Sequence, residues 1–283
     1  MKPILKYRGG KSQEIKHFEH LIPDFDRYIE PFFGGGALFF HLEPENSLIN
    51  DINTPLINFY QEVQQNFPTI RRELDDLDQI YKNNRTIYLD RKREALNERV
   101  HDPNEDLYYQ IRNMFNQLVE PQYSPGTIYY FINKTAYSGM IRYNQKGEYN
   151  VPYGRYANFN TKLLTPEHNQ LLQNTEIFNN SYSDILHMSE ANDFIFLDPP
   201  YDTTFSSYGN EVLTGDFDEE NHRELAQDFI NLNSRAMMVI GDTPLIRELY
   251  QNYIYDNYEK RYSVNIRNRF QSSSNHLIIT NYL

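Results

Sequence analysis

The chain has 283 residues, 24 Tyr and 18 Phe but no Trp and no Cys, and a formal net charge of −12. Its length can bury a full α/β core with one smaller inserted domain, and the lack of Cys excludes disulfide and thiolate chemistry. The acidic balance argues against simple electrostatic coating of nucleic acid, and no apolar run approaches the ~20 residues that span a bilayer.

The N-terminus lacks the apolar stretch of a signal peptide, so the expectation is a cytoplasmic protein without a membrane partner. Charge is uneven along the chain. Lys134, Arg142, Lys146, Arg155 and Lys162 are opposed only by Glu148, and Lys260, Arg261, Arg267 and Arg269 cluster near the C-terminus. A local basic surface on an acidic body is therefore allowed.

Near the start, "KYRGGKSQEI" (6–15) has the residue types of a phosphate loop. A P-loop needs a further Gly five positions before its second Gly, and that position holds Leu5. Ser12 thus loses a magnesium role and is expected to cap the helix that follows. "RYIEPF" reads as a short strand running into Gly34-Gly35-Gly36, "ALFFHL" as a short helix and "SLIND" as a second strand. "TPLINFYQEVQQNF" reads as a helix with Thr54 as N-cap and Pro55 at the first helical position. Residues 67–118 are helical and charged, and "EPQYSPGTIYY" breaks the pattern. In "GMIRYNQKGEYNVPYGRY" the turn residues 144–147 separate two aromatic segments, as in a hairpin loop.

After Thr165 the α/β rhythm returns. "DFIFLD", "AMMVIG" and "HLIITNY" are strands, "LIRELYQNY" is a helix, and "FDEENHRELAQDFINL" is a helix with Asp218 as N-cap. This pattern predicts one α/β domain built from 1–62 and 165–283, interrupted by a mostly helical, hairpin-bearing insertion at 63–164.

The chemistry centres on "FIFLDPPYD" (194–202). A buried strand ending in Asp198-Pro199-Pro200-Tyr201 delivers polar groups to the carboxyl edge of a sheet, where open α/β sheets bind ligands. Prolines remove backbone N–H groups, so this loop offers carbonyl oxygens without competing donors. An Asp carboxylate beside such a carbonyl makes two acceptors for an exocyclic –NH₂, and Tyr201 offers a face for a planar base. With Pro near 5% of residues, a chance match to this tetrapeptide pattern is on the order of one per cent. A simple rigid turn is the alternative. "IEPFFGGGALFF" lets the backbone approach a ligand closely, and Asp51 in "LINDIN" can accept from ribose hydroxyls or cap the next helix. Together they describe a nucleoside cofactor beside an amine substrate. His17 and His20 lack a further ligand, so no metal is expected.

With these residues in place the chain resembles the Dam/DpnM-type (D12 class, α-group) DNA adenine-N6 methyltransferases. "KYRGGK" (6–11), "EPFFGGG" (30–36), "RYNQKGEYNVPYGRY" (142–156) and "DPPY" (198–201) carry the resemblance, which covers essentially the whole chain. It implies a Rossmann-like α/β S-adenosylmethionine-dependent methyltransferase sheet with an inserted, mostly helical, hairpin-bearing DNA-recognition domain. It implies methyl transfer from S-adenosylmethionine to N6 of an adenine flipped out of duplex DNA. Catalysis would fall to Asp198, Pro199, Pro200 and Tyr201. Cofactor binding would fall to Tyr7, Lys11, Phe33, Gly34, Gly36, Asp51 and Asp198, with Tyr7 where many relatives have Trp. DNA contacts would fall to Arg142, Asn144, Pro152, Arg155 and Tyr156. "DTTFSSYG" departs from the Pro-Leu-Ser pattern that follows the motif in several GATC-specific relatives, which leaves a GATC or related site open. A cognate restriction endonuclease, and a monomer or weak dimer, stay open as well. So do two rivals: an amino-methyltransferase acting on RNA, and a catalytically silent DNA-binding relative.

Overall fold

The computed structural model describes residues 1–7, 9–95, 98–202, 217–261 and 273–283. Strand β1 (Arg27–Glu30), helix α1 (Ala37–Leu42) and strand β2 (Ser47–Asn50) come first. Helices α2 (Thr54–Glu94), α3 (Pro103–Phe115), α4 (Pro125–Thr135) and α5 (Pro166–Gln173) follow. The rest is β3 (Thr175–Phe178), α6 (Tyr182–His187), β4 (Asp193–Leu197), α7 (Glu219–Asn231), β5 (Arg235–Gly241), α8 (Pro244–Leu249), β6 (Ile254–Arg261) and β7 (Ser273–Thr280). They group into two compact units: a sheet unit from Lys11–Ile52 with the described parts of Thr175–Ser206 and Asp216–Leu283, and a helical unit from Met1–Gly10 and Asn53–Asn174.

The sheet has seven strands in the order β3-β2-β1-β4-β5-β7-β6. The first five are parallel, and β7 lies antiparallel to both β5 and β6. Parallel strands covered on both faces need continuous apolar runs. "SLIN" and "DFIFL" are buried at every position. Alternation sorts the side chains between faces. Ile29, Ile195, Leu197, Met238 and Ile240 pack with Ile185, Leu225, Phe229 and Ile246 of α6, α7 and α8. On the alternate positions, Phe196 stacks on Phe18, and Phe194 contacts Tyr28 and Phe25.

In the helical unit, α2 runs 41 residues and kinks at Asn66, two residues before Pro68. Proline has no N–H to donate to the carbonyl four residues back and crowds the preceding turn. The carbonyl it releases is that of Gln64, which accepts instead from Asn169 Nδ2 (2.9 Å) and from Gln173 Nε2, both on α5. The kink is thereby stitched to α5. The buried Tyr81 hydroxyl meets the Tyr153 hydroxyl at 2.6 Å and donates to the Tyr156 carbonyl at 2.7 Å, anchoring the segment after the hairpin loop.

Several expectations change. The N-cap of α2 is Asn53, whose side chain accepts from the Leu56 N–H, and Thr54 is already helical. Ser12 caps nothing: a 3₁₀ turn at Ile15–His17 follows, with Glu14 at its N-cap position and no side-chain cap bond. The compact helical unit takes in Met1–Gly10 and Asn53–Asn174, with α2 continuous through its kink. Strands β3 and β6 lie at the two sheet edges, where one side needs no partner and polar residues suffice. That is why "TEIF" and "IYDNYEKR" show no buried apolar run. All of "DTTFSSYG" but Asp202, and the Arg267 and Arg269 cations, lie outside the described residues.

Because the Tyr81 hydroxyl serves two buried partners, Tyr81→Phe should lower stability by about 1–3 kcal/mol. Urea unfolding of the whole protein checks this, and an unchanged midpoint would contradict it.

Candidate active site

Strands β1 and β4 are parallel neighbours at which the strand order reverses: β2 and β3 continue to one side, and β5 to the other. Open α/β sheets bind ligands in the crevice outside the carboxyl ends of such a pair. The loops leaving those two ends are 31–36 and 198–201, so the topology brings the glycine turn and the Asp-Pro-Pro-Tyr loop to one edge.

In the second loop Asp198 keeps 23% of its side-chain exposure and pairs with Lys11, whose Nζ is 2.5 Å from Oδ1. The same ammonium, 2% exposed, donates to the Tyr201 hydroxyl at 2.7 Å. Burial pushes the Asp198 carboxyl up, and the charge and hydrogen bond of Lys11 oppose that push. Lys11, expected at the cofactor, contacts two of the catalytic candidates. Pro199 is buried and Pro200 exposed. Asp202 accepts from the Thr243 hydroxyl (2.9 Å), which also caps α8, so the loop is tied down beyond Tyr201.

In the first loop Gly34 and Gly36 both have positive φ, +50° and +63°. At Gly36 a Cβ would fall 2.4 Å from Phe33 Cζ, and Phe33 is buried, so only glycine fits. The Gly34 N–H donates to Asp51 Oδ2 at 2.8 Å, which orients the turn from the end of β2. Asn50 ties the neighbouring loops: its Nδ2 donates to the Pro31 and Asn180 carbonyls and its Oδ1 accepts from the Asn180 N–H. Phe32 stacks on Tyr182 with centroids 5.1 Å apart, and Phe217 meets both rings edge-on. This aromatic group, at the ends of β1 and β3, escaped the sequence reading because β3 was not recognised. The first Phe of "EPFF" was its only visible signal.

Glu30, the last residue of β1, was also missed as an ionisable group of the site. It is 3% exposed and accepts from the Tyr28 hydroxyl at 2.8 Å. Burial holds its carboxyl well above the usual carboxylate range, and the charges of Asp198 and Asp51 push it the same way.

The remaining candidates belong to the helical unit. The Tyr7 carbonyl accepts from the Gly10 N–H at 3.3 Å. The strand of chain before it is clamped by α4: the Lys6 N–H donates to Asn133 Oδ1 (2.9 Å), Asn133 Nδ2 returns to the Lys6 carbonyl (2.8 Å), and Lys134 Nζ reaches the Ile4 carbonyl (2.5 Å). Lys134 is therefore no part of a basic surface; burial, then the charge of Lys6, brings its ammonium down to about 7. The hairpin loop closes through Asn144, whose Oδ1 accepts from the Lys146 and Glu148 N–H groups, and through one antiparallel bridge between Tyr143 and Tyr149. Arg142 is exposed and lies along Asn150. Pro152 is exposed, and its carbonyl accepts from the Tyr137 N–H. Arg155 is exposed, reaches both Glu105 oxygens at 3.2 Å and adopts φ +55°. A non-glycine residue in the left-handed region stores strain that tends to gather at working surfaces. The Tyr156 hydroxyl accepts from the Ser138 N–H, and Lys6 Nζ lies 4.2 Å from its ring centroid. Near the C-terminus, Lys260 is half-buried and paired with Glu14 at 2.6 Å.

A glycine turn, an acid at the end of β2 and an Asp-Pro-Pro-Tyr loop thus stand on one edge of a mostly parallel α/β sheet, the arrangement of an α/β enzyme. The family model "D12 class N6 adenine-specific DNA methyltransferase" matches residues 7–266, and the chain belongs to this family. It is 34% identical over 290 residues to the Type II methyltransferase M.CviBI of Paramecium bursaria Chlorella virus NC1A, covering 100% of both chains. It is 28% identical to the Type II methyltransferase M1.LlaDCHI of Lactococcus lactis subsp. cremoris, over 100% of this chain and 96% of that one. The Retron Ec67 DNA adenine methylase of Escherichia coli is also 28% identical, over 94% of this chain and 86% of the relative. No helix among the described residues is long and apolar enough to cross a membrane.

A carboxyl that folding moves upward contributes stability below the ordinary carboxylate pKa and loses it as pH rises towards the folded value. Glu30 should therefore make the melting temperature fall with rising pH above about 4.3, and Glu30→Gln should remove that fall. Melting curves of both proteins across pH 5 to 8 check it; parallel profiles would contradict the assignment.

Proposed function

We propose that the protein transfers a methyl group from S-adenosylmethionine to N6 of an adenine flipped out of duplex DNA. The observation that supports this reading is the convergence of the 31–36 and 198–201 loops at the reversal of the sheet, with Asp198 paired to Lys11. The residues present fit a nucleoside cofactor bearing a sulfonium. Asp51 suits ribose hydroxyls, the Phe33–Gly36 turn admits close backbone approach, and Phe32 with Tyr182 offers a wall for a purine. Tyr7 and Lys11 are proposed to complete that set. S-adenosylmethionine, when bound, supplies an electrophilic methyl group.

The residues of the chain do the rest. Adenine N6 is a weak nucleophile because its lone pair is delocalised into the ring. Asp198 Oδ and the Pro199 carbonyl would accept its two hydrogens, draw the nitrogen towards tetrahedral geometry and localise the lone pair. The target amine then competes with Lys11 for Asp198, and the carboxylate can take the proton that N6 sheds. Tyr201 would stack on the base and offset part of the few kcal/mol that flipping costs. Positioning of this kind supplies several kcal/mol of a barrier. Arg142, Asn144, Pro152, Arg155 and Tyr156 are the proposed DNA contacts, and the exposed guanidinium of Arg155 suits phosphate or a guanine edge. In this reading residues 63–164 act as the recognition domain and the flanking segments as the catalytic one. A GATC-related site and a partnering endonuclease remain within the proposal.

Labelled cofactor assayed with duplex DNA and with RNA tests the substrate class: label should enter DNA as N6-methyladenine, and preferential labelling of RNA would overturn the reading. Asp198→Ala should lower kcat by at least about a hundredfold while DNA binding persists. Near-wild-type turnover in that variant would remove Asp198 from the mechanism. Arg155→Ala should cost about 1–3 kcal/mol of DNA affinity or discrimination with cofactor binding unchanged. Equal affinity and selectivity would take Arg155 out of the interface.

A further inference from the structure

Behind the proposed site lies a buried polar cluster that the reaction as written does not use. Glu14 follows Lys11 within one turn, its N–H bonded to the Lys11 carbonyl at 2.7 Å, and its side chain is 6% exposed. A carboxylate so removed from water needs partners. Lys260 Nζ of β6 lies 2.6 Å from Oε1, while the Tyr258 hydroxyl of β6 and His276 Nδ1 of β7 lie 2.6 and 2.7 Å from Oε2. Burial pushes Glu14 up, but the His276 contact, the Lys11 charge, and the Lys260 and Tyr258 bonds bring it down to about 2. His17 stacks on Tyr258 at 4.4 Å and braces that side.

The cluster reaches the site through His276. Its ring is fully buried and meets the Tyr201 ring edge-on, with centroids 5.3 Å apart at 89°. Tyr201 is thus approached at three points: its hydroxyl by Lys11, its ring edge by Gly241 with 3.4 Å to a notional Cβ, and its ring by His276. Edge-on packing of this kind is directional and resists rotation of the ring. The arrangement is a costly way to fill space. His276 Nε2 has no hydrogen-bond partner among the described residues, Nδ1 meets Glu14 Oε2 as a close ion-pair contact without hydrogen-bond alignment, and buried ion clusters are commonly matched or bettered in stability by apolar side chains. Something other than stability favours an imidazole here.

We propose that Glu14 and His276 are positioning residues for methyl transfer: Glu14 orients the His276 ring, and that ring sets the plane of Tyr201 on which the target base stacks. This rests on the reading that Tyr201 stacks on a flipped adenine. Neither residue touches substrate; both act through Tyr201.

A double-mutant cycle on the full-length protein tests it, with kcat read on duplex DNA that has adenine at the target position and base flipping read on a parallel duplex with 2-aminopurine there. His276→Leu should lower kcat about tenfold or more, with cofactor and DNA dissociation constants within about threefold of wild type. The 2-aminopurine signal should rise, since the base leaves the helix but is stacked less well. On a Tyr201→Leu background the same change should have no further effect on kcat, because coupled residues are not additive. Glu14→Gln, which keeps the shape of the side chain, should show the same coupling at smaller size and serves if His276→Leu does not fold. Melting temperatures of all variants accompany the kinetics. A wild-type kcat in both variants, or losses that simply add to that of Tyr201→Leu, would overturn the inference. Wild-type turnover and 2-aminopurine signal in Tyr201→Leu itself would instead overturn the stacking reading, so the two failures are distinguishable.

Discussion

The structure turns on the cost of keeping a carboxylate ionised where water is scarce. Asp198 stands at the carboxyl end of β4, at the reversal of the sheet, and burial alone would drive it towards the neutral acid. A neutral acid would present a donor where the proposed mechanism calls for two acceptors. The Lys11 ammonium at 2.5 Å opposes that push in part, and the same ammonium binds the Tyr201 hydroxyl. Lys11 in turn lies one residue after Gly10, where the chain passes from the helical to the sheet unit. The glycine-rich segment that first looks like a phosphate loop thus carries the cation that pairs with this carboxylate.

Charge at this edge is graded by environment. Glu30, buried beside Tyr28, is pushed well above the usual carboxylate range, and Glu14, buried with His276, Lys11, Lys260 and Tyr258 around it, is brought down to about 2. Three carboxyls of one sheet unit are thus shifted to different degrees for identifiable reasons. The helical unit manages its own polar burden differently. Pro68 frees a carbonyl that α5 side chains take up, and Tyr81 ties down the backbone at Tyr156, next to the strained Arg155. An acidic chain can still present cations, because Arg142, Lys146, Arg155 and Lys162 are exposed.

Much of this was legible in the sequence where a single physical demand set the residue types. Buried parallel strands need apolar runs, so "DFIFL" and "SLIN" announced themselves, and Asp218 capped α7 as its position suggested. The Asp-Pro-Pro-Tyr loop was readable because proline and a terminal acid leave few other uses. Edge strands β3 and β6 were not, since half of each faces outward and carries polar residues. Hidden with them were the partners that only tertiary contact reveals: Tyr182 against Phe32, and the three residues that surround Glu14. The basic stretch misled for the same reason. Composition counts a lysine without telling that Lys134 points at a backbone carbonyl inside the helical unit.

The most direct test of the central claim is to map modified adenines in DNA exposed to the protein. Unmethylated DNA of varied sequence, incubated with S-adenosylmethionine and the full chain, would be read by single-molecule sequencing. The account predicts N6-methyladenine concentrated at one short sequence, and none when Asp198→Ala replaces the wild type. Absence of N6-methyladenine with the wild type, or an equal map with the variant, would contradict it.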